Sequence, residues 1–221
     1  VLGFAVVAEF VRAVATIARR GGGHTIVGSS IGLDWARSRQ SFCDSSGSSG
    51  YTLDGYGGVH PFGGAPGVHT SASWNGWDIA RGIAVNACSS NTISGYVLDG
   101  WGGVHPFWQQ GAAAIATPSG FAYWRGWDIA RGIVVSATGQ GQVVDGYGGV
   151  HPFGGAATPS MTASWPGHDY TRGISYNSAL NGGYVLDAFG RLHPWWTGGT
   201  SIATPSGGAS FSFQIARGVT E

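Results

Sequence analysis

Gly95-Tyr96-Val97-Leu98-Asp99-Gly100-Trp101-Gly102-Gly103-Val104-His105-Pro106-Phe107 is one of four copies of a single pattern. The others run from Gly50 to Phe62, Gly141 to Phe153 and Gly183 to Trp195, and their histidines, His60, His105, His151 and His193, stand 45, 46 and 42 residues apart. Self-similarity at this period marks a repeat architecture, in which one unit cannot bury its apolar face alone and stacks on its neighbours. Within the stretch, Tyr96 to Leu98 reads as a strand and Asp99-Gly100 as a turn. Val104 to Phe107 reads as a further strand, which Pro106, lacking a backbone donor, ends or confines to an edge.

Working outward, Arg81 to Ala87 reads as a strand and Cys88 to Ser94 as a polar turn. An Ala/Thr/Pro/Ser/Gly linker follows the quoted stretch, and then an expected aromatic strand, Phe121 to Trp124. A second motif alternates with the first. It reads Gly32-Leu33-Asp34-Trp35-Ala36-Arg37, Gly76-Trp77-Asp78-Ile79-Ala80-Arg81 and Gly126-Trp127-Asp128-Ile129-Ala130-Arg131, with degenerate copies at Gly167 to Arg172 and Ser212 to Arg217. Five copies of it enclose four copies of the first. Three to four antiparallel strands per unit, repeated four times, predict an all-β, β-propeller-like domain of about four blades over residues 32–221. The spare half-unit at 213–221 is expected to seal the ring beside the first unit, or to lend a strand to a neighbouring molecule.

The blade pattern, an Ile-containing strand, then Gly-Tyr-Val-Leu-Asp-Gly, then Gly-Val-His-Pro-Phe, resembles the blades of secreted bacterial propeller repeats and, more loosely, those of tachylectin-type lectins. The resemblance covers residues 32–221 and implies an extracellular setting. Propellers host binding, scaffolding and catalysis alike, so it does not by itself select a function.

Residues 1–20, VLGFAVVAEFVRAVATIARR, read as an apolar helix with one narrow polar stripe of Glu9, Arg12, Thr16 and Arg19/Arg20. Residues 21–31 form a Gly/Ser linker. The helix either covers an apolar face of the domain or packs on copies of itself through Val1, Leu2, Phe4, Val7, Glu9, Phe10, Val11 and Val14. An apolar helix holding one acid ahead of a β head is similar to the pilin-like subunits of bacterial surface filaments. Those typically carry the acid at the fifth mature position, whereas here it is Glu9.

The chain has a net charge of zero, eleven Arg, no Lys and 41 Gly. With no basic patch, nucleic acid is not expected as a partner. Gly without a Gly-X-Y period excludes collagen, and ten Trp argue against disorder. Cys43 and Cys88 each lie eight residues before the Tyr of their motif copy, so they hold equivalent positions in neighbouring units. They are either a bridge between units, implying an oxidising compartment, or two buried thiols. No cofactor or metal site is expected, although the four motif histidines admit a ring of ligands as an alternative to bonding their own aspartates.

Charges that recur once per unit are read as scaffold. In Asp-x-x-Arg, the Asp is expected to accept backbone N–H bonds and the Arg to reach a carbonyl or carboxylate of the next unit. No catalytic residue is assigned: the Gly-rich stretches precede strands, so no phosphate loop forms, and the repeat explains the carboxylates. The candidate ligand-binding residues are the aromatics that follow the Asp-Gly or Asp-Ala turn: Tyr56, Trp101, Tyr147 and Phe189. Trp74, Trp124 and Trp165 are expected between units. Trp108, Trp195 and Trp196, read as standing where other units have Gly, are expected on a contact surface. The function that follows is non-catalytic extracellular recognition or adhesion of a glycan or cell-surface ligand. The alternative is a subunit of an extracellular filament or homo-oligomer; a glycan-active enzyme stands third.

Overall fold

The structure is a computed structural model that describes residues 39–42, 48–89 and 92–219. The expected N-terminal helix with its eight assembly residues, the linker, the first Asp/Arg motif copy and Cys43 lie outside the described residues. No helix among those described is long and apolar enough to cross a membrane.

The described chain is all-β and forms four antiparallel sheets in succession. The first holds β1 (Arg39–Phe42), β2 (Gly50–Leu53) and β3 (Val59–Phe62). The second orders β4 (Val68–Thr70), β7 (Val104–Gln109), β6 (Thr92–Asp99) and β5 (Ala80–Ser89). The third holds β8 (Ala130–Val135), β9 (Gly141–Asp145) and β10 (Val150–Phe153). The fourth orders β11 (Ser160–Met161), β14 (Leu192–Trp196), β13 (Gly182–Asp187) and β12 (Thr171–Ile174).

Each sheet contains a meander, and in the second and fourth sheets its outer strand is covered by the linker leaving the preceding unit. β4 follows the first unit yet pairs with β7 of the second, and β11 pairs with β14 of the fourth in the same way. At the third unit the linker keeps only a bond from Gly154 N–H to the Ser119 carbonyl, 2.8 Å. Pro106 lies within β7, and β4 stops opposite Phe107, where Ser71 N–H takes the Pro106 carbonyl at 3.0 Å. The missing donor therefore ends the outer strand rather than β7 itself.

Phe121 to Trp124, expected as a strand, is irregular. Its backbone is tied to the hairpin of the unit it leaves, Trp124 N–H to the Trp101 carbonyl at 2.6 Å, rather than to a sheet edge.

The core lies between units. One buried cluster joins Tyr51 and Leu53 of the first unit to Ile83, Val97 and Phe107 of the second. A second joins Tyr96, Leu98 and Val104 to Ile133, Val143 and Phe153, and a third joins Val144 and Val150 to Ile174, Val185 and Trp195. Burying one such large side chain contributes about 1.5–3 kcal/mol, and here that gain exists only once two units meet. Glycine makes the close approach possible. A Cβ on Gly82 would lie 2.9 Å from Cγ2 of Ile133, and one on Gly132 would lie 3.0 Å from Cγ2 of Ile174, so each inner strand receives the next unit's isoleucine in a glycine notch.

The first meander strand of each unit, β1, β5, β8 and β12, forms one edge of its sheet, and these strands are neighbours in that order. The half-unit at the C-terminal side continues the series: Ala216 N–H bonds the Ala188 carbonyl at 3.1 Å, and Val219 approaches Gly173. This segment lies against the fourth unit and forms no strand among its described residues, and no closed ring is seen among the described residues.

Candidate functional site

Two polar networks organise the end of the array where the Asp-Gly turns lie. In each hairpin the aspartate holds the turn shut. One oxygen of Asp99 accepts the N–H groups of Trp101 (2.8 Å) and Gly103 (2.9 Å), and the other meets His105 Nε2 at 2.8 Å. Asp54 with His60 (2.7 Å), Asp145 with His151 (2.7 Å) and Asp187 with His193 (3.0 Å) repeat this arrangement. Burial alone would favour the neutral acid at Asp54, but the bonds from His60, Gly58 and Tyr56 outweigh it and lower its pKa. The motif histidines thus bond the aspartate of their own unit. Among the described residues no three His, Cys, Asp or Glu side chains are grouped to hold a metal ion.

The second network crosses the unit boundaries. Arg81 meets Asp78 of its own motif (3.2 Å) and grips Asp128 of the next unit through Nε (2.9 Å) and Nη2. Arg131 meets Asp128 (3.2 Å) and Asp169 (3.0 Å) in turn, and Arg172 reaches the Gln214 amide oxygen at 3.0 Å. Desolvation opposes ionisation of Asp128, yet Arg81 and then Arg131 prevail and hold its pKa below the usual carboxylate value. The same contacts raise the pKa of Arg81, whose side chain is almost fully covered. Arg81 and Arg131 reach a carboxylate of the next unit as expected, whereas Asp78 and Asp128 bond arginine side chains rather than the backbone N–H groups expected for them.

The inter-unit tryptophans sit between the two networks. Trp74 lies against Gly57 of the first hairpin and sets its ring against His105 of the second unit, at 4.8 Å between centroids. Trp124 does the same between Gly102 and His151 (5.0 Å), and Trp165 between Gly148 and His193 (4.8 Å). Gly102 has φ 90°, and a Cβ there would fall 2.3 Å from the Ala122 carbonyl, so only glycine fits.

Three residues after each of these indoles the chain makes a tight turn. Trp77 N–H bonds the Trp74 carbonyl at 2.9 Å and Trp127 N–H bonds that of Trp124 at 2.9 Å. Gly76 (φ 78°) and Gly126 (φ 80°) fill the position of a type II turn that demands positive φ. The turn lifts Trp77 and Trp127 into solvent, 44% and 48% exposed. There they meet the hairpin aromatics edge-on: Trp77 on Trp101 at 5.1 Å, Trp127 on Tyr147 at 5.6 Å. Tyr123, also exposed, adds a third ring 6.3 Å from Trp101. In the fourth unit His168 stacks on Tyr170, which meets Phe189 at 5.1 Å.

Of the four sequence candidates, Tyr56 is exposed, while Trp101, Tyr147 and Phe189 are half-buried and serve as the inner wall of this strip. Sequence reasoning missed the outer wall, Trp77, Trp127 and Tyr123. For Trp77 and Trp127 the signal was present: an aromatic directly after a turn glycine, with a second aromatic three residues before it.

Trp195 is not on an exposed surface. It pairs with Gly183 as Phe107 pairs with Gly95, so it occupies the phenylalanine position of the repeat and is 1% exposed. Trp108 and Trp196 are half-buried. No cysteine among the described residues is free. The chain as a whole matches no known protein family, no curated protein and no solved structure.

Proposed function

We propose that the chain is a non-catalytic recognition module of propeller-like architecture, displayed outside the cell, that holds glycans on its exposed aromatic strip. The observation that carries this is the pair Trp77–Trp101 with Tyr123, and its repeat Trp127–Tyr147. These rings are presented on rigid, glycine-built turns at the same end of successive units. Aromatic faces pack on the C–H faces of sugars, and equivalent weak sites on one scaffold gain avidity. Exposed Asp78 and Asp128, each next to a strip tryptophan, add hydrogen-bond acceptors for sugar hydroxyls. A bridge from Cys88 to Cys43 belongs to the same reading, since it fits an oxidising compartment and joins two units.

The test is a glycan array with the chain and with Trp77→Ala/Trp127→Ala. The expected result is a signal that falls at least tenfold in the double variant while its thermal unfolding is nearly unchanged. A chain that binds no glycan, or a double variant that binds as before, rejects the reading.

A second reading, a subunit that assembles end to end, rests on the half-unit. Ile79 and Ile129 of the Asp/Arg motif are buried, at 3% and 4%, under the hairpin of their own unit. Ile215, at the same place in the motif, is 42% exposed, and Phe213 is 63% exposed. A further hairpin of this repeat type would cover Ile215, while Phe213 holds the place of the exposed Trp77 and Trp127. Sedimentation of the chain against Phe213→Ser/Ile215→Ser decides: association lost in the variant supports this reading, and a wild-type monomer rejects it.

A further inference from the structure

The boundary between the third and fourth units carries a feature that the other boundaries lack. In the pairing of the second and third motif strands, Tyr51 faces Pro61, Tyr96 faces Pro106 and Tyr184 faces Pro194, while Gln142 faces Pro152. Gln142 therefore stands where the other three units place a tyrosine. It keeps the tyrosine's tether. Its Nε2 donates to the Ala157 carbonyl at 3.0 Å, as the Tyr51 hydroxyl does to Pro66 (2.7 Å) and the Tyr184 hydroxyl to Ala203 (3.3 Å). What is missing is the ring.

At the first two boundaries that ring packs on the next unit's phenylalanine, Tyr51 on Phe107 and Tyr96 on Phe153, each at 5.8 Å. At the third, the partner position holds Trp195, and Tyr176 stacks on it at 5.9 Å with an interplanar angle of 22°. Tyr176 directly follows Ser175, whose N–H bonds the Tyr184 carbonyl. It thereby takes the place of Val85 and Val135 in the units before it. Three departures from the repeat thus meet at one point, and they leave a cleft of about 200 Å³.

The cleft lies at the end of the strands away from the Asp-Gly turns and the aromatic strip. Tyr176 and Trp195 form its apolar wall; Gln140, Gln142, Asn181 and Thr197 supply polar groups; no charged side chain lines it. Gln142 is 4% exposed, and its Oε1 has no partner among the described residues. An acceptor buried without a partner costs about 1–3 kcal/mol, which a suitable ligand donor recovers. The Gln142 amide is held by a single bond, so a modest rotation presents Oε1 to the cleft.

We infer that this cleft is a second binding site, built for one neutral hexopyranose ring. The ligand lays its C–H face along Tyr176, whose ring is backed by the buried Trp195, and donates a hydroxyl to Gln142 Oε1. Neutrality follows from the lining, since an ionised ligand entering an uncharged cleft would lose hydration without gaining a partner. The volume falls below the range of pockets for drug-sized ligands and suits a single ring rather than an oligosaccharide segment.

The experiment titrates the isotope-labelled full chain with D-glucose, D-galactose, D-mannose and N-acetyl-D-glucosamine, following the Trp195 Nε1–H and Gln142 side-chain amide signals by NMR. At least one sugar is expected to shift both signals in a saturable way. Gln142→Tyr restores the residue of the other units, fills the cleft and is expected to weaken that titration at least tenfold with unfolding still cooperative. Tyr176→Val, the residue of the preceding units, is expected to do the same. The inference is overturned if none of the four sugars moves these signals at millimolar concentration, or if Gln142→Tyr binds as tightly as the parent. Trp77→Ala/Trp127→Ala is expected to leave the cleft titration intact, so failure of the strip and failure of the cleft are read separately. Loss of the cleft titration in that variant overturns the assignment of two sites.

Discussion

The boundary between the second and third units and that between the third and fourth are built from the same parts and end differently. At the former, Tyr96 fills the space beside Phe153, and the two rings close the core. At the latter, Gln142 keeps only the linker bond that Tyr51 and Tyr184 make, and Trp195 with Tyr176 closes the core from one side. The polar ladder does not distinguish them, because Arg81–Asp128 and Arg131–Asp169 are near copies. The lesson is that one end of a unit is constrained by the charges and glycines that every boundary needs. The other end tolerates substitution, so a specific site can arise there without loss of the array.

The largest expected effect comes from the shared apolar plug. Phe153 is 1% exposed, and Phe153→Ala should lower unfolding free energy by about 3–5 kcal/mol, read from denaturant unfolding. Trp195→Ala should cost no more despite the larger ring, since one side of Trp195 already borders a cleft. A clearly larger loss at Trp195 breaks the comparison.

Next is the ladder. Asp128→Ala leaves the covered Arg81 guanidinium without its main partner. Removing a partner from a fully buried pair costs about 3–5 kcal/mol; because the Asp128 side chain is 40% exposed, about 2 kcal/mol is expected here. Gln214→Ala, at the neutral end of the same ladder, should cost less than about 0.5 kcal/mol. Equal costs at the two positions would show that the ladder does not couple units.

The same pair has a pH signature. Asp128 has a lowered pKa when folded, so its contribution is complete above the ordinary carboxylate value of 3.8 and is lost as pH falls through the lowered folded value. The parent should therefore lose stability steeply on acidification below about pH 4, and Asp128→Asn should flatten part of that slope. An unchanged slope in the variant, measured by thermal unfolding across pH, refutes the assignment. The last effect is a gain: Gln142→Tyr should stabilise the chain by about 1 kcal/mol, as a buried ring replaces a cleft and an unsatisfied amide oxygen. A destabilised variant would mean that the third boundary has no room for the ring.

Much of the scaffold is readable from local chemistry. Asp99 in an Asp-Gly turn, Gly102 where the chain requires positive φ, and Arg81 three residues after Asp78 declare their roles through spacing alone. Trp74, Trp124 and Trp165 declare theirs through position, one per boundary. Exposure is not readable in this way. Trp101 and Trp77 look alike in sequence, yet a type II turn lifts one into solvent while a hairpin half-buries the other. Trp195 was misplaced although the copy from Gly183 to Trp195 already sets it level with Phe107; what the sequence does not display is that this position is buried against the preceding unit. The irregular run from Phe121 to Trp124 shows the same limit: its aromatic composition suits a strand, but its backbone is tied to the hairpin it leaves rather than to the β10 edge.

The sequence by itself determined the period, the all-β class, the alternation of two motifs and the reach of Arg81 and Arg131 into the next unit. These depend on contacts between residues at a fixed separation, and repetition displays such contacts directly. The tertiary structure decided which faces meet. It placed the cores between units rather than within them, put Ile133 into the notch at Gly82, and turned the glutamine at position 142 from an ordinary polar substitution into a missing ring beside Trp195. Those outcomes depend on the shape of the neighbouring unit, and a residue's own sequence context does not contain that shape.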